Sequence, residues 1–186
     1  QAVLAIRAYD ELYGHAPPPV LQDATGRVLG SWRFAVLPLL ESQPPPVNTS
    51  VPWDAPQNEA VASKPLGAFC FSGSAVERLE TNVFAVVGNG TAFDPDCKKR
   101  LRDLPHDVIL LVEVANSGVH WMAPGDLDIA DASASIRNGL DGRGFHIAFN
   151  DQVVWYLTPD VPWEDVKRFF SVAGAMENDR ELLRPY

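Results

Sequence analysis

The stretch from Phe145 to Leu157, FHIAFNDQVVWYL, decides the fold because it has the pattern of a β-hairpin. Alternate apolar positions share one face of each predicted strand, namely Phe145, Ile147 and Phe149 in the first and Val153, Trp155 and Leu157 in the second. Asn150 and Asp151 tolerate the left-handed conformations that a two-residue hairpin turn requires. Because an isolated two-stranded ribbon is only marginally stable in water, we expect this hairpin to belong to a larger, covered sheet.

The N-terminal segment has the pattern of a helix with a broad apolar arc. Two neighbouring rows form this arc, Ala2, Ile6, Tyr9 and Tyr13 in one and Leu4, Ala8 and Leu12 in the other, and Arg7, Asp10 and Glu11 are left for water. Gly14 and the prolines that follow Ala16 end the helix. A helix about 18 Å long is too short to be stable alone, so we expect it to dock on the sheet.

The width of this apolar arc leads to an expectation about exposure. One part of the arc should dock on the sheet, and the rest should be covered by other parts of the domain or left for neighbouring molecules. We therefore expect Leu4 or Val3 to be markedly more exposed to solvent than Ile6 and Tyr9.

The remaining segments alternate short strands and short helices without a regular βαβ repeat. The predicted strands are Val20–Asp23 with Arg27–Leu29, Ala68–Phe71, Asn82–Val87 and Val108–Val114. The predicted helices are Trp32–Leu40, capped by Ser31 and with its last turn tightened or ended by Pro38, Pro56–Ala62, capped by Asp54, and Trp163–Val172, opened by Pro162 and stopped by Gly174. The run from Val108 is the most continuous apolar one and indicates a central strand. We predict an α+β fold with an N-terminal helix packed on a mainly antiparallel sheet, additional short helices and long proline-rich loops.

Length and charge narrow the classes of protein to which the chain can belong. Its 186 residues, with no long linker, are predicted to form a single domain, residues 1–186. A formal net charge of −9 means that nucleic acid and anionic membrane surfaces would be repelled. No apolar run approaches the roughly 18 residues of a spanning helix, and no signal peptide is recognisable. Because Gln1 lies inside the helical pattern and no Met precedes it, we expect a fragment or a processed product.

The two cysteines, Cys70 and Cys97, leave one possible pairing. In an exported protein a disulfide between them would close a loop of 28 residues, which stabilises a fold by roughly 3 to 4 kcal/mol. The alternative is two unrelated thiols, one in a buried segment and one in a loop. The sequence leaves both possibilities open.

Several sequence words, taken in order, resemble a large paralogous family of planctomycetes that is catalogued as domain of unknown function 1559. These words are YDELYGHAPPP, SWRFAVLPLLE, PWDAPQN, TNVFAVVGNGTAF, VEVANSGVHWMAPGDL and DGRGFHIAFNDQVVWYL. Full-length members of this family typically begin with a type IV prepilin-like leader and a membrane helix, and many look like pseudopilins of a type II secretion or pilus apparatus. The resemblance implies a pilin-like domain in which residues 1–13 end a longer helix and residues 14–186 form the globular head. It also implies an extracytoplasmic, membrane-anchored full-length protein.

The C-terminal signature of that family, His-x9-Asp-Gly, departs from its usual form here. Alignment of Asp151 with the family's Asp places Asp141 where the His usually stands and Gln152 where the Gly usually stands. If the missing His and Gly serve a function, this chain has lost it. If they only shape the hairpin, Asn150-Asp151 can replace them. The family supplies no established catalytic residue to carry over.

No motif for catalysis or for a bound cofactor is present. The histidines lack metal-ligand spacing, neither cysteine lies in a C-x-x-C motif, and a G-x-S-x-G elbow is absent. Asp126, Asp128 and Asp131 offer hard oxygen atoms that suit Ca²⁺, as do Asp94 and Asp96, but neither group fits an EF-hand loop. We interpret both groups as solvated loop acids and expect at most weak Ca²⁺ binding.

Three other side chains have both a structural and a functional interpretation. Glu113 lies in an apolar strand, so we expect an ion pair with Arg33 or another basic side chain in preference to a catalytic role or a solvent-facing edge position. Trp53 and Trp121 are expected to pack over the sheet in preference to forming an exposed platform for carbohydrate or protein.

These observations predict a non-enzymatic, extracytoplasmic structural subunit that resembles a pseudopilin. It would contact protein partners or further copies of itself through the N-terminal helix, and would reach a membrane only through an upstream helix. An extracellular solute- or glycan-binding module is the second hypothesis, and a distant enzyme is the third.

Overall fold

The computed structural model describes residues 1–42, 45–71, 79–97, 99–132 and 143–184. The described chain is α+β, as predicted. It divides into a first unit, Gln1–Asn82 with Ser117–Gly125, and a second unit, Val83–Asn116 with Asp126–Tyr186. The single domain over residues 1–186 stays a prediction.

The first unit begins with helix α1, Ala2–Tyr13, which confirms the predicted N-terminal helix. It ends at Gly14, whose φ of 82° is left-handed and whose N–H donates to the Asp10 carbonyl at 2.8 Å. The helix contacts the 3-10 turn Leu37–Leu39 of the same unit. Its predicted docking on the sheet stays a prediction.

A small antiparallel ribbon follows α1, as predicted. It consists of β1, Val20–Gln22, and β2, Val28–Ser31. The Asp23 carboxylate shapes the turn between them because one of its oxygens accepts hydrogen bonds from the Thr25 N–H at 2.8 Å and the Arg27 N–H at 3.1 Å.

The α-helix predicted over Trp32–Leu40 is shorter than expected, whereas the tightening of its last turn at Pro38 is confirmed. Only α2, Trp32–Ala35, is α-helical, and the tighter turn Leu37–Leu39 replaces the rest, because Pro38 has no N–H to continue an α-helix. Ser31 occupies the N-cap position as predicted, but its side chain makes no capping hydrogen bond.

Two more predictions in the first unit need correction. The segment predicted as strand Ala68–Phe71 contains the 3-10 helix Gly67–Phe69, and two side chains bind its backbone instead of a neighbouring strand. The Thr81 hydroxyl donates to the Phe69 carbonyl at 2.8 Å, and the amide oxygen of Asn82 accepts from the Phe71 N–H at 2.8 Å.

The predicted helix Pro56–Ala62 is split in a similar way. A 3-10 turn, Pro56–Asn58, leads into α3, Glu59–Ala62. The predicted cap, Asp54, is wrong, because Ala55 occupies the N-cap position and makes no side-chain capping hydrogen bond. Pro56 follows at the first helical position, where its fixed φ suits a helix and its missing N–H costs no hydrogen bond.

The second unit is built on a five-stranded sheet with the order β5-β3-β4-β6-β7. Its strands are β3 Val83–Val87, β4 Ile109–Glu113, β5 Leu127–Asp128, β6 Phe145–Phe149 and β7 Val154–Leu157. All five residues of β4 are buried, which confirms the predicted central strand. The sheet is mixed, because β5 pairs parallel with β3 while the other neighbouring pairs are antiparallel. "Mainly antiparallel" therefore describes three of its four pairings.

The β6–β7 hairpin is confirmed, with Phe145 paired to Leu157. Its turn has three residues and not two, because the Phe149 N–H donates to the Val153 carbonyl and Gln152 adopts a left-handed φ of 74°. Val153 was predicted on the buried face, but it is 39% exposed because it lies at the outer end of the hairpin, beside the turn.

Two helices close the second unit in place of the single predicted one. Helix α4 spans Trp163–Arg168, and α5 spans Val172–Glu177. Gly174 does not stop a helix but lies inside α5, where a β-carbon would stand 2.0 Å from the Arg168 carbonyl oxygen. The close approach of α4 to α5 therefore requires glycine at this position. A 3-10 helix, Arg180–Leu183, ends the described chain.

The packing of the hairpin predicts the effect of emptying its core. Phe149 is fully buried and meets the Trp155 ring edge-to-face at 5.4 Å. We expect Phe149→Ala to lower the free energy of unfolding by roughly 3 to 5 kcal/mol, measured by urea denaturation. Val154→Ala, on the same hairpin but 50% exposed, should change it by less than about 0.5 kcal/mol. Equal effects of the two substitutions would contradict the hairpin core.

Candidate functional site

The outer surface of α1 exposes one of the two predicted apolar rows. Leu4 is 43% and Leu12 is 65% exposed, and Ala8 between them is half-buried. Ile6 is fully buried, and Tyr9 is half-buried. The prediction that Leu4 is more exposed than these two residues is confirmed. We call Leu4, Ala8 and Leu12 the helix row.

One expectation about α1 is wrong, because Asp10 is buried and not exposed to water. Val3, the alternative to Leu4 in the expectation about exposure, is also buried. Asp10 follows Ile6 by four residues and therefore lies on the buried side of the same helix. Among the described residues, no helix has both the length and the apolar character needed to span a membrane.

Aromatic side chains gather at the C-terminal end of α1. The Tyr9 ring lies 4.4 Å from the Tyr13 ring and 5.8 Å from the His15 ring, measured between centroids. Burial is the main effect that raises the pKa of Tyr9, and the electrostatic effect of Tyr13 raises it further. Tyr13 itself is 60% exposed, so the apolar surface continues past Leu12.

The side chain of Asn150 holds the turn of the β6–β7 hairpin in place. This side chain is buried, and its amide nitrogen donates to the carbonyls of Leu101 at 2.7 Å and Pro105 at 3.2 Å. Its backbone N–H donates to the Val108 carbonyl at 2.9 Å. Asn150 therefore attaches the turn to the segment that leads into β4. No sequence pattern indicated this role beyond the tolerance of Asn for turns.

Asp151 forms an ion pair with Arg180 from the C-terminal segment. The distance between Arg180 Nη2 and Asp151 Oδ2 is 2.6 Å, and Arg180 Nε also lies 3.2 Å from Asp107 Oδ1. The guanidinium lies over the Phe149 ring, 5.0 Å from its centroid, and 5.6 Å from that of Trp155. Arg180 thus joins the turn, the segment before β4 and the aromatic pair of the hairpin.

The ion pair changes the acidity of Asp151. Burial disfavours the carboxylate, but hydrogen bonds from Arg180 and Val153 and the charges of Arg180 and His106 outweigh it, so the pKa of Asp151 is lowered. The hydrogen bond to Asp151 and the charges of Asp151, Asp107 and Glu181 outweigh burial and raise the pKa of Arg180.

Gln152 and Asp141 occupy the other two positions compared with the family signature. Gln152 has the left-handed φ of 74° that glycine adopts at least cost. A glycine at this position would serve the turn geometry. Asp141 lies outside the described residues.

Glu113 has the basic partner that the sequence predicted. Its Oε2 atom lies 2.6 Å from His146 Nδ1 and accepts the backbone N–H of His146 at 3.0 Å. This pair joins β4 to β6. Arg33, the first predicted partner, donates to the carbonyls of Trp121 at 3.0 Å and Gly125 at 2.8 Å within the first unit.

The acidic residues considered for Ca²⁺ bind backbone N–H groups. Asp126 accepts from Ala85 at 2.9 Å, and Asp128 accepts from Ala130 at 2.8 Å. The Asp94 carboxylate accepts from Gly90 at 2.7 Å and from Asp96 at 2.8 Å. Asp131 is exposed in a turn. In the described ranges, no group of three or more His, Cys, Asp or Glu residues could hold a metal ion.

The two tryptophans considered as a platform pack within the first unit. Trp121 is 1% exposed, and its Nε1–H donates to the Lys64 carbonyl at 2.9 Å. Trp53 is half-buried and stacks on the His120 ring at 4.4 Å. His120 Nδ1 accepts the Met122 N–H at 3.1 Å, which requires the neutral imidazole. Burial lowers the pKa of His120, and the hydrogen bond to the Ala62 carbonyl offsets this effect only in part.

Neither cysteine is paired in the structure. Cys70 and Cys97 are both free thiols, each half-buried. Burial raises the pKa of the Cys70 thiol. Of the two interpretations of the sequence, the structure shows two separate thiols.

Comparison with known proteins finds no family model that matches the chain and no similar curated protein or solved structure. The resemblance to the planctomycete family and the pilin-like character of the fold therefore stay predictions.

The conformation of Gln152 predicts a stabilising substitution. We expect Gln152→Gly to raise the free energy of unfolding by roughly 0.5 to 1 kcal/mol, because glycine reaches a left-handed φ without a steric cost. Thermal and urea denaturation measure the change. Gln152→Ala, which shortens the side chain but keeps the β-carbon, should give no gain. A gain of equal size in both variants would contradict the role of φ.

The lowered pKa of Asp151 predicts a dependence of stability on pH. The contribution of its ion pair is fully present above the unfolded-state pKa, about 3.9, and is lost as the pH falls through the lower folded-state pKa. We expect Asp151→Asn to reduce stability at pH 7, with a smaller difference from the wild type below about pH 4.

Urea denaturation between pH 3 and pH 7 measures this difference. Asp131→Asn is the matched control because it removes the same charge from an exposed turn. A constant difference between Asp151→Asn and the wild type over the whole pH range would exclude the ion pair as its cause.

Proposed function

We propose that this chain is a non-enzymatic, pseudopilin-like structural subunit that contacts neighbouring subunits through the helix row. The exposure of Leu4 and Leu12, on the same helix as the fully buried Ile6, carries this proposal. Burial of apolar surface stabilises an association by roughly 25 cal/mol per Å². A continuous apolar row on a helix is therefore a favourable place for contact between proteins.

The spacing of the helix row suits a second helix. Leu4, Ala8 and Leu12 are four residues apart and form one ridge of the kind that packs between the ridges of another α-helix. Ala8, at the centre of the ridge, is small and allows a close approach. The occupant that this geometry favours is α1 of a neighbouring subunit.

The location of the protein is part of the same proposal. The sequence words that resemble the planctomycete family support an extracytoplasmic domain held at a membrane by an upstream helix. That arrangement would concentrate the subunits in two dimensions, so that a weak contact along α1 is sufficient for assembly.

A solute- or glycan-binding module is the alternative proposal. A pocket of about 160 Å³ in the first unit is lined by Trp121 and Lys64 among others, and an aromatic wall suits a sugar ring. Ligand sites usually have about 300 to 1,000 Å³, so this pocket would accept only a small group. The exposure of Leu4 and Leu12 therefore favours the assembly proposal.

The assembly proposal predicts that charge on the helix row prevents contact between copies. Copies tagged with hexahistidine at the N-terminus would be displayed on vesicles that contain nickel-chelating lipid, and energy transfer between donor- and acceptor-labelled copies would be measured. We expect transfer above the random level for the wild type and loss of the excess for Leu4→Glu with Leu12→Glu.

A matched control separates this effect from added charge. Leu79→Glu with Leu182→Glu makes the same two changes at leucines that are 38% and 41% exposed outside α1. It should keep the excess transfer. Random-level transfer in the wild type, or equal loss in the control, would contradict assembly through α1.

A further inference from the structure

Strand β7 lies at one edge of the five-stranded sheet, and its backbone pairing shows which groups face outward. The Phe149 N–H donates to the Val153 carbonyl at 2.9 Å, so this pair is of the hydrogen-bonded kind. Such pairs alternate with non-bonded ones in antiparallel strands. Val154 and Tyr156 are therefore in non-bonded positions, and their N–H and C=O groups point away from β6.

The outer side of β7 is apolar and accessible. Val154 is 50% and Tyr156 is 52% exposed, and both side chains lie on the same face. Within the part of the chain that the structure describes, no hydrogen bond reaches the outward backbone groups of these two residues. Edge strands are commonly protected by a charge, a proline or a bulge, and the strand sequence VWYL contains none of these.

We propose that the outer edge of β7 is an interaction surface that pairs antiparallel with β7 of a second copy of this chain. The pairing is centred on Trp155, which places Val154 opposite Tyr156 of the second copy and Tyr156 opposite its Val154. Both pairs use the outward backbone groups, which gives four hydrogen bonds between the copies. Each pair also brings a β-branched side chain against an aromatic one.

Charge and symmetry both favour a second copy as the occupant. A two-fold contact requires a surface that is complementary to itself, and this register satisfies that condition. From Gln152 to Pro159 the chain has no Asp, Glu, Lys or Arg, although the net charge is −9. The two guanidiniums that lie over the Trp155 ring, those of Arg180 and Arg184, are paired with Asp151 and Glu181, which limits repulsion between the copies. The nearest acid, Asp151, is already paired with Arg180.

The size of the contact sets its strength. A strand of four residues covers much less than the roughly 1,200 Å² of a stable protein interface. The pairing is therefore weak and serves copies that are already held close together. It does not depend on the helix row or on the proposed function.

Disulfide trapping tests the register directly, in a background with Cys70→Ser and Cys97→Ser. In the proposed pairing, residue 154 and residue 156 of the other copy have Cα atoms about 5.5 Å apart, within the range for a disulfide. Residue 154 of one copy lies diagonally across from residue 154 of the other, and their Cα atoms are farther apart than the limit of about 7 Å for a disulfide. A mixture of Val154→Cys and Tyr156→Cys proteins should therefore form the mixed dimer at least about ten times faster than either protein forms its own.

A backbone variant provides a second measurement. Val154→Pro removes one outward N–H but no hydrogen bond to β6, and Val154→Thr keeps the N–H. In sedimentation equilibrium at millimolar concentration, we expect wild type and Val154→Thr to dimerise and Val154→Pro to do so at least about ten times more weakly. Circular dichroism checks that each variant is folded. Any one of three results would overturn the proposal. The first is mixed trapping that is no faster than self-trapping, and the second is a wild type that stays monomeric. The third is a β7 edge that binds added β-strand peptides although the protein does not pair with itself.

Discussion

The second unit depends on the buried side chain of Asn150, which holds the end of the hairpin against the segment before β4. Its amide satisfies the Leu101 and Pro105 carbonyls, and a buried carbonyl left without a partner costs about 1 to 3 kcal/mol. These bonds also fix the register of β6. A slip by one residue would turn Phe145 and Phe149 to the opposite face of the sheet, so one polar side chain protects the apolar core.

Hydrophobic periodicity predicted the elements whose stability comes from their own apolar pattern. The hairpin, the central strand β4 and helix α1 belong to this group. The pattern failed at Ala68–Phe71, because the side chains of Thr81 and Asn82 take the backbone groups that a strand would use. It failed again at Gly174, where the close approach of the Arg168 carbonyl, and not the end of a helix, requires glycine.

The candidate surfaces were predictable only in part, for a related reason. The helical wheel identified two apolar rows on α1 and led to the expectation that Leu4 is exposed, but only the folded chain shows that Leu12 is exposed with it and that Asp10 is buried. The partners of Asp151 and Asn150 are 29 and 45 to 49 residues away in sequence, and no local pattern connects them. A glutamate inside an apolar strand did indicate a nearby basic side chain, because a buried carboxylate requires a partner.

The two proposed surfaces differ in what they would contribute to an assembly. Pairing along the edge of β7 is two-fold, so it uses its own surface on both copies and closes at a dimer. A ridge of apolar side chains such as the helix row imposes no backbone register and tolerates small shifts of one helix along another. Contacts of that kind can repeat from subunit to subunit. If both operate, the strand edge sets the unit that is repeated and the helix row sets the direction in which it repeats. Neither contact then has to be strong alone, because each raises the local concentration for the other.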